Sequence, residues 1–127
     1  MVTTENKKVV LVVDDNRDAA DTLALLLNKC GCRSFIAYAA VDGLKIAEAI
    51  VPDIIFHDLD MPFMDGFTAG KMLRADARFE DTLIVAVTAH DSKVFRQGSR
   101  DAGFDLHLTK PFGFDSLKNV ITQSRPH

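Results

Sequence analysis

Residues 9–15 read VVLVVDD, five apolar residues in unbroken succession closed by two carboxylates. A strand with one wet face alternates apolar and polar side chains. An uninterrupted apolar run is instead buried on both faces, as in a parallel sheet covered by helices on either side. Similar runs recur as SFIAY (34–38), DIIFH (53–57), LIVAVT (83–88) and, more weakly, DLHLT (105–109), which predicts five strands. Helical spacing fills the intervals: Ala20, Leu23, Leu27 and Cys30, then Leu44, Ala47 and Ile50, and finally Leu117, Val120 and Ile121. A third helix is predicted from near Asp65-Gly66 through Met72 and Leu73, with Gly70 costing it about 1 kcal/mol relative to alanine. Gly31, Pro52 and Gly103 read as stops for the first, second and fourth helices.

Strands alternating with helices give a doubly wound α/β domain. With right-handed crossovers, five strands predict the flavodoxin-like order 2-1-3-4-5, which places functional groups in a crevice at the carboxyl ends of strands 1 and 3. The 127 residues suffice for one domain with a sizeable core, and 47% apolar with 26% charged residues excludes wholesale disorder. Residues 8–123 are expected to form that domain, with a flexible lead over 1–7 and a tail over 124–127. A net charge of −3 lacks the basic excess that nucleic acid or an anionic membrane demands, so a protein or small-molecule partner is expected. MVTTENKK lacks the apolar centre of a signal peptide, and no apolar run approaches the ~20 residues that span a bilayer, hence a cytoplasmic expectation. Cys30 and Cys32 sit too close for an easy disulfide and read as reduced structural thiols. No output segment is legible after residue 123, which fits either a chain acting through protein contacts or a part of a longer regulator or kinase.

The predicted order brings distant residues together. Strand 1 ends in Asp14-Asp15, strand 3 in Asp58, strand 4 in Thr88 and strand 5 in Lys110-Pro111, so three carboxylates, a hydroxyl and an ammonium share one rim. In FHDLDMPFMDG (56–66), Asp60 and Asp65 add further carboxylates; Asp65 reads as a turn or helix-cap residue. Three ionised carboxylates within ~5 Å repel by several kcal/mol per pair at an effective dielectric of about 20. Such a cluster takes up protons or recruits a cation, and Mg²⁺ suits one or two direct carboxylates, a backbone oxygen and retained waters. Asp15 and Asp58 are assigned as direct ligands, Asp14 as a water-mediated one and Asp60 as the donor of a main-chain carbonyl. Thr88 and Lys110 offer donors to an anion. Together these parts suit transfer of a phosphoryl group onto a carboxylate, with Asp58 as nucleophile. Asp14 and Asp15 equally suit an N-cap of the first helix.

In order and spacing, VLVVDDN (10–16), HDLDMPFMDG (57–66), VTAH (87–90) and LTKPF (108–112) resemble a response-regulator receiver domain, the phosphoacceptor module of two-component signalling. The resemblance covers residues 8–123. It implies that Asp58 is phosphorylated, that Asp14 and Asp15 form the acidic pair for Mg²⁺, that Thr88 contacts the phosphoryl group and that Lys110 pairs with it. It also implies a cis Lys110–Pro111 bond, a phosphohistidine donor on a sensor histidine kinase or histidine phosphotransfer domain, and a downstream protein reading the face of helix 4, strand 5 and helix 5. AGFDLHLTKPF particularly resembles receivers of hybrid histidine kinases.

Three histidines depart from the family pattern. His107 replaces the usual aromatic switch residue beside Thr88, His57 precedes the nucleophile where an apolar residue is usual, and His90 stands at the rim. Strand alternation turns His57 away from Asp58, as a hydrogen-bonded structural residue. Asp60 and His90 are expected to pair across the site entrance. Phe67, Met72, Phe95 and Phe112 read as core or partner-surface residues. Two alternatives remain. A phosphatase of the haloacid dehalogenase type shares Asp-x-Asp, Thr and Lys but places its nucleophile after the first strand, and a receiver-like binding module would never accept phosphate.

Overall fold

The structure, a computed structural model, describes residues 7–61 and 66–124. The five apolar runs are strands, β1 (Val9–Val13), β2 (Arg33–Ala37), β3 (Ile54–Asp58), β4 (Leu83–Thr88) and β5 (Leu106–Thr109), all parallel in the order β2-β1-β3-β4-β5. The helices between and after them are α1 (Arg17–Lys29), α2 (Ala40–Ile50), α3 (Gly66–Ala75), α4 (Lys93–Asp101) and α5 (Phe114–Gln123). The predicted doubly wound order is therefore the observed one. Asp65, expected as a turn or cap residue, and the chain ends 1–6 and 125–127 lie outside the described residues.

Alternation along the buried strands divides the core in two. Val10, Val12, Ile54, Phe56, Val85 and Val87 face α1 and α5, meeting Ala20, Leu23, Leu27, Leu117 and Val120. Leu11, Val13, Ile55, Ile84 and Ala86 face the opposite layer, meeting Ala40, Ala47, Leu73 and Phe104. The predicted stripes hold at Ala20, Leu23, Leu27, Ala47, Leu117 and Val120. Cys30 and Ile50 are half-buried, and Met72, read as a core or partner-surface residue, is exposed. Cys30 and Cys32 are unbridged, and burial pushes the Cys32 thiol up.

Two helices end in the same way. In α1, Cys32 N donates to Leu27 O and Gly31 N to Asn28 O; in α4, Phe104 N donates to Ser99 O and Gly103 N to Arg100 O. Both are Schellman ends, with Gly31 and Gly103 at φ 87° and 98° as the required left-handed residues. Pro52 does follow α2, but the left-handed turn there is Val51, at φ 43°. The α4 end delivers Phe104 into the core against Gly70, where a Cβ would overlap the Phe104 ring. Gly70 is thus a packing requirement of α3, which its low helix propensity concealed. Sequence reading also missed Arg74, whose guanidinium donates to the carbonyls of Phe79, Thr82 and Gly103 and pairs with Asp105 at 2.6 Å. That one side chain joins α3 to the starts of β4 and β5. Phe79, on a short 3₁₀ turn at Ala77–Phe79, is buried beside it.

The carboxyl half of the sheet carries a row of register partners, Val13, His57, Ala86 and His107. His57 is 1% exposed, and its ring meets the edge of Phe104 with centroids 6.5 Å apart. Its Nδ1 lies 2.9 Å from the Asp58 carbonyl oxygen, so Nδ1 carries the proton, and Nε2 has no partner among the described residues. Burial holds the imidazole below its ordinary pKa.

Two predictions follow from this packing. Gly70→Ala destabilises the domain by about 1–2 kcal/mol in urea unfolding despite alanine's helix preference, and Phe104→Leu in the same chain recovers part of the loss. The depressed His57 pKa means that stability is whole above the unfolded value near 6.5 and is lost as pH falls below it, since the unfolded chain takes up the proton first. Relative to His57→Leu, the parent should lose up to about 1.4 kcal/mol per pH unit between pH 6.5 and 5.5. Parallel stability profiles for the two proteins would show that His57 is not buried neutral.

Candidate functional site

Because β1 and β3 are neighbours, their carboxyl ends bring Asp14, Asp15 and Asp58 together: each offers an oxygen, and the three lie within 4.8 Å of one another. Asp14 and Asp58 are 6% and 4% exposed, whereas Asp15 is open to solvent. Asp14 accepts from the Asn16 N–H at 3.0 Å. The helix cap anticipated from Asp14-Asp15 is in fact Asn16, whose side chain accepts from Ala19 N at 3.1 Å. Capping by the third residue leaves the two aspartates to the crevice.

Lys110 reaches the cluster from the loop after β5. Its Nζ lies 3.5 Å from Asp14 Oδ2 and 3.6 Å from Asp58 Oδ1. The Lys110–Pro111 bond is cis, as the resemblance implied. Burial pushes the Asp58 carboxyl up to about 6; the Asp60 N–H and the Lys110 charge oppose that rise and the neighbouring Asp14 adds to it. Near neutral pH most of the Asp58 population still carries its charge. One ammonium then faces three carboxylates, an imbalance that fits a hard divalent cation bound through oxygens.

The loops after β3 and β4 are tied to each other. Asp60 N donates to Asp58 Oδ1 at 2.9 Å, while the Asp60 carboxylate accepts from Thr88 Oγ1 at 2.9 Å and from Ala89 N at 3.0 Å. Thr88 is fully buried, and its hydroxyl accepts in turn from His90 N at 3.1 Å. His90 Nε2 lies 3.7 Å from Asp60 Oδ1, so the anticipated approach across the entrance is present, and its ring rests 5.1 Å from that of Phe95. Sequence reading assigned Asp60 only a main-chain carbonyl and a link to His90. The two-residue step from Asp58 was the available sign that the Asp60 side chain would meet the β4 terminus.

The structure thus brings Asp14, Asp15, Asp58, Asp60, Thr88, His90 and Lys110 to one rim. His57 points to the opposite face, as alternation required. His107 is half-buried one register step from the rim, its Nδ1 3.4 Å from Ser99 Oγ and its Nε2 3.3 Å from the His90 carbonyl. Both contacts are long, and burial lowers its pKa. Beside Asp14 and Lys110 opens a groove whose apolar wall is Leu23, Leu26, Val87, Pro111 and Phe112.

Residues 10–122 match the family described as the response regulator receiver domain. The chain is 33% identical over 118 residues to Protein PilG of Pseudomonas aeruginosa, covering 92% of this chain and 87% of PilG. It is 31% identical over 127 residues to the sensor histidine kinase AtsR of Burkholderia thailandensis, covering 97% of this chain and 21% of that kinase. Among solved structures, the chemotaxis protein CheY4 of Vibrio cholerae superposes with a TM-score of 0.88 at 26% identity, covering 94% of this chain and 99% of that one. The receiver domain of a Pseudomonas aeruginosa sensor histidine kinase superposes with a TM-score of 0.85 at 25% identity, covering 93% and 97% of the two chains. That structure has a magnesium ion coordinated in its active-site cleft. With the fold, the rim and the match over 10–122 in agreement, the chain belongs to the response-regulator receiver domains of two-component systems.

Proposed function

We propose that this receiver accepts a phosphoryl group from a phosphohistidine onto Asp58. The observation that carries the reading is the placement of one ammonium, Lys110, against two buried carboxylates at the junction of β1 and β3. A carboxylate oxygen of Asp58 forms the new O–P bond as the P–N bond of the donor breaks. The donor imidazole leaves with that electron pair and, protonated on its other nitrogen, departs neutral. Lys110 then exchanges its carboxylate contacts for a phosphoryl oxygen, and the Thr88 hydroxyl donates to another. Asp14, Asp15, Asp58 and the Asp60 carbonyl would hold Mg²⁺, which when bound neutralises charge spreading over the phosphoryl oxygens. Asp58 follows β3, whereas the dehalogenase-type phosphatase requires its nucleophile after the first strand. The domain therefore stores the group and does not turn over a substrate.

The donor is a sensor histidine kinase or a histidine phosphotransfer domain. The groove between α1 and the Pro111-Phe112 loop favours this, because it is an apolar surface of the kind a helix covers, and it ends at Asp14 and Lys110. A downstream protein reads the face of α4, β5 and α5, where His107 and Ser99 register movement at Thr88. Such a relay operates in the cytoplasm, and among the described residues no helix is long and apolar enough to cross a membrane.

Incubation with acetyl phosphate and Mg²⁺ should add one acid-stable, base-labile phosphate to the parent by intact mass, and none to Asp58→Asn or to protein held in excess chelator. Lys110→Ala should label at least about tenfold more slowly, as expected for loss of one charge-assisted contact. Equal labelling of parent and Asp58→Asn would reject the assignment. His90→Ala, by opening the entrance between Asp60 and Phe95, should shorten the lifetime of the acyl phosphate severalfold; an unchanged half-life removes His90 from that role.

A further inference from the structure

The phosphoacceptor reading gives Thr88 one task, to donate its hydroxyl proton to the phosphoryl group. In this structure that proton is already spent. A threonine hydroxyl has a single hydrogen to give, and here it goes to Asp60 Oδ1 at 2.9 Å. The second Asp60 oxygen holds the next main-chain donor, Ala89 N, at 3.0 Å. The Thr88 oxygen accepts from His90 N at 3.1 Å, so the hydroxyl is satisfied as donor and as acceptor and is fully shielded from water. Asp60 is itself fixed, since its own N–H donates to Asp58 Oδ1 at 2.9 Å. The result is a closed circuit from Asp58 through Asp60 and Thr88 to the start of the β4–α4 loop.

We propose that the Asp60 side chain is a positioning residue that latches Thr88 and residues 89–90 in the resting state, so that phosphorylation of Asp58 must make the Thr88 hydroxyl change acceptor. This rests on the phosphoacceptor reading and adds a resting-state restraint to it. The latch is a carboxylate with both oxygens engaged, one by a hydroxyl and one by a main-chain N–H, and a charged acceptor binds such donors more strongly than a neutral one. An ordinary turn aspartate would satisfy Ala89 N alone and would leave Thr88 free. The dual engagement links the site to the segment that leads into α4.

The test separates the latch from the mere charge of Asp60. Removing that charge eases approach of any anion, whether or not Thr88 carries a hydroxyl; releasing the latch matters only when the hydroxyl is present. Labelling rates with acetyl phosphate are measured for the parent, Asp60→Ala, Thr88→Val and the double variant. The latch predicts that Asp60→Ala speeds labelling roughly tenfold in the Thr88 background and much less in the Thr88→Val background. A second measurement needs no phosphate. Amide exchange at Ala89 and His90 in the unphosphorylated protein should rise about tenfold in Asp60→Ala while Val85, in the strand interior, is unchanged, and the parent should approach the same exchange at Ala89 and His90 once Asp58 is phosphorylated. Equal rate effects in both backgrounds, or unaltered exchange at Ala89 and His90, overturn the latch alone. A parent that takes up no phosphate overturns the phosphoacceptor reading, and the latch with it.

Discussion

Everything in this molecule is arranged around carboxylates that the strand order forces together. A sheet buried on both faces has no place for charge along its length, so ionisable groups collect where the strands end. Because β1 and β3 are neighbours, two acidic residues that follow one strand and one that closes the other arrive at the same edge, within 4.8 Å. Lys110 comes from beyond β5, past the terminus of β4, to meet two of them. Thr88, at that terminus, donates its hydroxyl to the Asp60 carboxylate. A change in any one of these groups alters the electrostatic setting of the others.

Consecutive residues of β3 serve opposite sides of the sheet. Asp58 faces the crevice, and His57 faces the dry layer under α3 and α4, where Phe104 packs on Gly70. His57 is nonetheless bound to the Asp58 carbonyl through Nδ1, so the backbone that presents the Asp58 carboxylate to the crevice is held from behind by an imidazole that burial keeps below its ordinary pKa. Thr88 also belongs to this layer by alternation, two residues on from Ala86. His107 shares its register row with His57, and only the Ala86 methyl separates their strands on this face. In this chain the layer that would carry a signal away from the site therefore contains two imidazoles where the family pattern offers an apolar residue and an aromatic ring. Their ring nitrogens make that layer directional in a way that hydrocarbon packing is not.

The legible parts of the sequence were those in which one physical signal dominated. β1 and β4 begin and end where predicted because an unbroken apolar run meets a charged or hydroxyl residue. β2 and β3 shift by one residue, since a tyrosine or aspartate can sit on either side of a strand end. β5 was the weakest run, and it is an edge strand whose residues are all half-buried. Asp14, Asp15, Asp58, Thr88 and Lys110 were legible at the rim from strand order. Asp60, Asn16 and Arg74 had roles that depend on which loops meet. Three successive capping residues at 14–16 cannot be ranked without the helix start, and an arginine at a helix end gives no sign that four carbonyls and carboxylates will converge on it. Gly70 was misjudged for the same reason: propensity sees the helix, and the constraint came from a ring 34 positions away in the chain.

The contacts of the resting site also bear on how a phosphoryl group would be taken up and lost in the proposed role. Lys110 and Thr88, the donors an incoming phosphoryl group would need, are each engaged by carboxylates of the protein itself. In the proposed phosphoacceptor role, phosphorylation would exchange one set of charge-assisted contacts for another, so that the free-energy difference between the two states would be a difference of similar terms. Donors pointing at water would give up solvent contacts to reach a phosphoryl group, whereas Thr88 and Lys110 would give up contacts with the protein's own carboxylates. Substitution of the protein's own anions for the ligand's would keep the two states within reach of each other, as a reversible signal requires.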